Sequence, residues 1–205
     1  MVYESPVGGR MPQDSSQPEF WNTRYRDHTT PWDAHEVPAE LRAFAITLPA
    51  TARILIPGCG SAHELLCLAE TGADVLAIDF SPDAVELGRR NAGPFADRIL
   101  CADFFQFDPG PRVFDVVYER AFLCALPRKL WAAYAARMAE LLGPRGHLTG
   151  FFFYHDDAKG PPFGTSPEEL HGLLDDRFDL MEDRAAAESL AVFKDGERWQ
   201  VWRRR

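Results

Sequence analysis

From Arg53 to Tyr154 the chain alternates apolar runs with helical patterns, and this alternation constrains the fold more than any other feature. The runs "RILIP", "DVLAIDF", "RILCAD", "FDVVYE" and "HLTGFFFY" are separated by "HELLCLAE", "PDAVELGRRN" and "PRKLWAAYAARMAELLG". Such order argues for an α/β fold, a parallel sheet with helices on both faces. The clearest helix is expected from Pro127 near its first turn to a stop at Gly143-Pro144, with Leu130, Tyr134, Met138 and Leu141 on one apolar stripe. Another is expected after Ser166-Pro167, with Glu168 and Glu169 favourable in its first turn. The segments "FDLMED" and "SLAVFKDGERWQVWRR" read as late strands. The Asp195-Gly196 turn marks at least one as antiparallel, since a tight hairpin cannot join parallel neighbours.

Ahead of the sheet, residues 1–17 lack periodicity and read as a mobile leader. Residues 18–205 are expected to form a single domain, with a helical N-terminal portion over 18–50. A length of 205 residues suffices for one core without metals or disulfides. The net charge of -9 opposes tight binding to nucleic acid or an anionic membrane surface, leaving a small molecule as the expected partner. No apolar run approaches a membrane span. Cys59, Cys67, Cys101 and Cys124 sit in apolar contexts that read as buried thiols, so a reducing, cytoplasmic setting is expected.

"ILIPGCGSAHE" carries the first sign of chemistry. Gly58-Cys59-Gly60 lets the backbone approach a ligand closely, and the following helix offers free N–H groups to an anion. The dinucleotide fingerprint asks for a third glycine where His63 stands, a bulky residue at the expected close helix–strand contact. NAD and FAD are therefore disfavoured. Asp79 ends the second strand roughly 20 residues on, where a carboxylate can accept both ribose hydroxyls. A cap for the next helix is its alternative role, although Ser81 is better placed for that. Asp103 closes the third strand, with Phe104 and Phe105 offering apolar surface to a flat base.

Together these motifs resemble class I S-adenosylmethionine-dependent methyltransferases. "FWNTRY", "TTPWDAHEVP", "ILIPGCGSAHE", "AIDFSPDAVE", "CADFF", "FDVVYERAFLCAL" and "GPPF", in this order, narrow the resemblance to the thiopurine S-methyltransferase superfamily, which includes thiol, thiocyanate and halide methyltransferases. It implies a Rossmann-like, seven-stranded, mostly parallel sheet of order 3-2-1-4-5-7-6, with the last strand antiparallel, and an N-terminal lid over the cofactor. It further implies a monomer.

Carried over by position, Trp21, Tyr25 and Trp32 belong to the lid, where an aromatic face attracts a sulfonium. Their alternative role is to staple the N-terminal helices to the core. Gly58 and Gly60 would flank the methionine part, Asp79 the ribose, and Asp103 with Phe104 the adenine. Cys59, Phe80 and Glu119 fall on the same cofactor side. Arg120 is the implied catalytic and substrate-orienting residue, with Tyr154, His155 and Phe163 toward the acceptor. The alternatives are an ion pair or helix-end contact for Arg120 and a solvated loop for His155-Asp156-Asp157. Pro57 and Ala62 depart from the general class I pattern, and the narrower family tolerates the proline.

The expected reaction is methyl transfer to sulfur or a similar soft nucleophile of a small molecule. Positioning can contribute on the order of 7 to 11 kcal/mol without a dedicated base. No catalytic triad or paired-carboxylate spacing is evident, and no metal is expected from the His155-Asp156-Asp157 run. Rival readings are an O- or N-methyltransferase, a cofactor-binding protein without turnover, and, less favoured, a dinucleotide oxidoreductase.

Overall fold

The computed structural model describes residues 14–156 and 159–205. Seven strands form one sheet: β1 Arg53–Pro57, β2 Asp74–Asp79, β3 Ile99–Cys101, β4 Phe114–Arg120, β5 Leu142–Phe153, β6 Phe178–Ala185 and β7 Glu197–Arg204. Their order is β3-β2-β1-β4-β5-β7-β6, and only β7 runs antiparallel to both of its neighbours. The helices are α1 Pro18–Arg26, α2 Ala39–Ala45, α3 His63–Ala69, α4 Pro82–Ala92, α5 Trp131–Leu141 and α6 Pro167–Leu174. The expected topology is therefore present.

Strand side chains alternate between two cores, one on each face of the sheet. Ile54 and Ile56 of β1, with Trp199 and Val201 of β7, pack with Leu41 of α2 and Leu65 of α3. Leu55 and Trp202 face the opposite way, toward Tyr134 and Met138 of α5 and Leu170 of α6. Both faces being covered explains why the parallel strands read as unbroken apolar runs. Two helix starts follow the sequence closely. Ser81 caps α4 through its Oγ, and Ser166 with Glu169 forms a reciprocal capping box on α6.

Several boundaries differ from expectation. Pro127 is extended, a single 3-10 turn over Arg128–Leu130 follows, and α5 begins only at Trp131. The helix ends at Leu141, and Gly143-Pro144 lies inside β5, where residues 143–146 bulge between the pairings Phe114↔Leu142 and Val116↔His147. Ser189 to Phe193 is not a strand. Ala191–Phe193 forms a 3-10 turn, Lys194 and Asp195 take left-handed conformations, and β6 reaches β7 through the longer connection 186–196. Asp103 lies beyond the end of β3 at Cys101. Cys101 is exposed on that edge strand and Cys67 half-buried, so only Cys59 and Cys124 are buried thiols.

Most of the expected leader, residues 1–13, lies outside the described residues, as does Asp157. Within 14–17 the chain turns back, Ser15 is buried, and its carbonyl accepts the Trp21 indole N–H at 2.8 Å. Among the described residues no helix is long and apolar enough to cross a membrane.

Candidate active site

The carboxyl ends of β1, β2 and β4 and the N-terminal segment enclose a cavity of about 680 Å³. That volume lies within the roughly 300 to 1,000 Å³ usual for small-molecule sites. It sits at the sheet edge where open α/β folds bind ligands.

Its floor is the turn after β1. Gly58 and Gly60 both have positive φ, at 59° and 50°. A Cβ on Gly58 would overlap the Phe122 ring, and one on Gly60 would lie 2.5 Å from the Tyr25 hydroxyl oxygen. Glycine is required here on both counts. The next turn is tightened by Ala62, itself left-handed at φ 56°. Gly88 of α4 lets that helix come against the Gly60 carbonyl and the Ala62 methyl, since a Cβ there would meet them at 2.9 and 3.2 Å.

The close helix approach at this corner is thus made by Gly88. His63 does not fill it, contrary to the sequence-based expectation. The His63 ring turns toward the N-terminal segment and lines the cavity, with its Nε2 3.4 Å from Asp33 Oδ1.

Asp79 ends β2 beneath the glycine turn. Its carboxylate accepts the Gly60 N–H at 3.0 Å and the Ser81 N–H at 2.9 Å. Burial pushes this acid up to about 6, and those backbone N–H groups oppose the rise. Ser81, which caps α4, donates its hydroxyl to Asn22 Oδ1 of α1 at 2.6 Å. Asn22 therefore fastens the N-terminal helix to the end of the sheet.

The remaining walls are aromatic. Trp21 meets Trp32 edge-on at 5.3 Å between ring centroids, and Tyr25 meets Trp32 at 6.2 Å. All three line the cavity, as do Cys59, Phe80, Asp103, Phe104 and Phe105. Asp103 is partly committed to its own loop, accepting the Phe105 N–H at 2.8 Å and the Gln106 amide at 3.0 Å.

Arg120 ends β4 on the opposite wall. Its Nε is 3.5 Å from Glu197 Oε1, its guanidinium lies 5.0 Å from the Phe151 ring centroid, and its side chain is only 10% exposed. Among the described residues, neither Arg120 Nε nor the nearby Tyr118 hydroxyl has a hydrogen-bond partner. Glu197 is held from behind, since its Oε2 accepts the Ser189 hydroxyl at 2.8 Å and the Leu190 N–H at 3.0 Å. Burial pushes the Cys59 and Cys124 thiols well above their ordinary range, so neither supplies a thiolate.

Other expected site residues stand off the wall. Glu119 points into the fold, where its carboxylate accepts the Phe122 and Leu123 N–H groups, and burial pushes it up to about 7. The Tyr154 hydroxyl accepts the Gln200 amide at 2.8 Å, and His155 stacks on Phe153. Phe163 packs into the core beside α5, its N–H donating to the Cys124 carbonyl at 2.7 Å. From that loop it is Pro161 and Pro162 that reach the cavity.

Glu197, Asn22 and Gly88 were not expected at the site. Only the Asp195-Gly196 turn just before Glu197 hints at any of them. Their partners lie far away in sequence.

The fold, the glycine turn and the carboxylate beneath it define a class I methyltransferase. Among solved structures, 1,6-didemethyltoxoflavin-N1-methyltransferase from Burkholderia thailandensis, with S-adenosylhomocysteine bound, superimposes with a TM-score of 0.69 at 20% identity. The match covers 98% of this chain and 93% of that one.

The chain belongs to the thiopurine S-methyltransferase family, whose family model matches residues 16–205. It is 32% identical over 184 residues to "Thiopurine S-methyltransferase" of Xanthomonas campestris pv. campestris, covering 80% of this chain and 84% of the relative. It is 31% identical over 164 residues to "Probable thiol methyltransferase 2" of Arabidopsis thaliana, covering 75% and 70%.

Proposed function

We propose that this protein transfers the methyl group of S-adenosylmethionine to the sulfur of a small thiol, thiopurine or thiocyanate-like acceptor. The observation that carries this reading is Arg120, a nearly buried cation held by Glu197 on the cavity wall, with Nε lacking a hydrogen-bond partner among the described residues. A cation fixed there favours an acceptor that arrives as an anion. The names of the relatives, thiol and thiopurine methyltransferases, support the same acceptor class.

The cofactor supplies a methyl group activated on a sulfonium. Toward it, Asp79 has lone pairs remaining for ribose hydroxyls, and the glycine turn lets the backbone come close to the methionine chain. Phe104 and Phe105 offer a surface for the adenine, and Trp21 and Trp32 offer faces to the cation. Arg120 orients the anionic acceptor for in-line attack. The displacement cancels the acceptor's negative charge against the sulfonium's positive one, so excluding water lowers the barrier. A thiol with an ordinary pKa near 8.5 brings enough thiolate near neutral pH without a protein base.

In this reading residues 18–50 serve as the lid of one catalytic unit spanning 18–205. The protein acts as a cytoplasmic monomer on small molecules. The test is a screen of thiols, thiopurines, thiocyanate, iodide, phenols and amines, with methylated products detected by mass. Methylation confined to phenols or amines would refute the sulfur assignment.

A further inference from the structure

Asp33, His35 and His63 form a cluster at the cavity rim to which the proposed methyl transfer assigns no role. Their ligand atoms, one per residue, all lie within 4.8 Å of one another. We infer that these three side chains bind a single divalent transition ion of the zinc class, which latches the lid segment to the first turn of α3.

The distances fit such an ion. Zinc holds imidazole nitrogen and carboxylate oxygen at about 2.0 to 2.2 Å, so two ligands of a tetrahedral site stand roughly 3.3 to 3.5 Å apart. His63 Nε2 lies 3.4 Å from Asp33 Oδ1, and His35 Nδ1 lies 3.6 Å from the same oxygen. His63 Nε2 is buried and, among the described residues, has no hydrogen-bond partner despite that approach. An ion between this nitrogen and the carboxylate would give the buried ring atom the partner it lacks.

The rings of His35 and His63 meet edge-on, 5.9 Å between centroids, which leaves both nitrogens beside the carboxylate. The Asp33 side chain is 5% exposed and oriented by the His35 N–H, which donates to Oδ1 at 2.9 Å. Two imidazoles and one carboxylate, with a further position left for water, suit zinc, cobalt or nickel. Magnesium and calcium prefer an all-oxygen shell. The His35 side chain is 77% exposed, so an ion enters from solvent.

Sequence spacing conceals this site. Asp33 and His35 come from the segment between α1 and α2, and His63 opens α3 beyond the glycine turn. Asp33 and His63 both line the cofactor cavity. An ion joining them restrains one wall against the other, so ion and cofactor strengthen each other's binding by the same factor.

The test uses the full chain stripped with a chelator. Cobalt(II) serves as the spectroscopic probe and zinc as the calorimetric one. The expected result is one equivalent of cobalt with visible ligand-field bands and no intense thiolate charge-transfer band. His63→Ala and His35→Ala should each weaken binding more than about tenfold while keeping the wild-type circular dichroism. Magnesium should give no heat. Zinc should also tighten S-adenosylhomocysteine binding, by about 5- to 150-fold, in wild type but not in His35→Ala.

A thiolate-type cobalt spectrum, or binding unchanged in both variants, would overturn the site. Zinc bound through these residues with cofactor affinity unmoved would overturn the latch.

Discussion

The carboxylate of Asp79 reaches back across the sheet edge to accept the backbone N–H of Gly60 at 3.0 Å. The residue expected to hold the ribose thus also shapes the turn expected to admit the methionine chain. Burial pushes Asp79 up to about 6. We expect cofactor affinity to fall as pH drops through that value, because a protonated acid accepts fewer hydrogen bonds from hydroxyls. Asp79→Asn should bind more weakly by about 1 to 3 kcal/mol and lose the pH dependence. Calorimetry with S-adenosylhomocysteine between pH 5 and 8 checks both, and an unchanged profile in the folded variant would refute the role.

Glu119 shows the opposite face of the same physics. The residue is 1% exposed, and burial raises its carboxyl from an ordinary 4.5 to about 7. In the folded state the proton is held more tightly than in the unfolded chain, so stability falls as pH rises from about 4.5 to 7. At about 1.4 kcal/mol per tenfold change in proton affinity, the loss is at most about 3 to 4 kcal/mol. Glu119→Gln should lessen the pH dependence of thermal unfolding across that window, leaving the share due to Asp79, and exceed wild type in stability at pH 8. A variant whose melting temperature tracks wild type at every pH would contradict this.

Gly60 and Tyr25 form a coupled pair. Gly60→Ala should cost about 1 to 2 kcal/mol from the left-handed backbone, plus the cost of displacing the Tyr25 hydroxyl. Tyr25→Phe in the same chain should restore the second part. Urea unfolding of both single variants and the double gives the coupling, and strictly additive effects would show that the two do not meet.

Much of the fold was legible from sequence because parallel strands buried on both faces spell themselves out as apolar runs, as "RILIP" and "DVLAID" do. The errors fall where a local signal competes with tertiary context. Pro127 and Gly143-Pro144 look like the two ends of one helix, yet Pro127 is extended and Gly143 belongs to β5. Ser189 to Phe193 is apolar enough for a strand but instead supplies Phe193, with Leu190 and Val192 packed beside it, to a small cluster with Cys124 and Phe153. Gly58, Gly60 and Asp79 were readable because strand ends converge on one edge. Glu197 behind Arg120 and Asn22 on Ser81 were not, since each contact joins distant segments.

Arg120 is supported by a partner that complicates its removal. Arg120→Met alone leaves Glu197 buried without its counter-charge, a loss of about 3 to 5 kcal/mol. The double variant Arg120→Met with Glu197→Gln should recover that stability. Turnover of an anionic acceptor should still fall roughly 10- to 150-fold, the worth of a hydrogen bond to a charged group, with cofactor affinity little changed. Steady-state rates beside thermal unfolding separate the two effects, and full recovery of rate in the double variant would exclude Arg120 from orienting the acceptor.

The most direct test of sulfur methylation is a competition in one vessel. The enzyme, isotopically labelled S-adenosylmethionine, and equal amounts of an aryl thiol, the matching phenol and the matching amine are incubated at pH 7.5, with products resolved by mass. The label is expected in the thioether. Label in the ether or the methylamine, with none in the thioether, would contradict it.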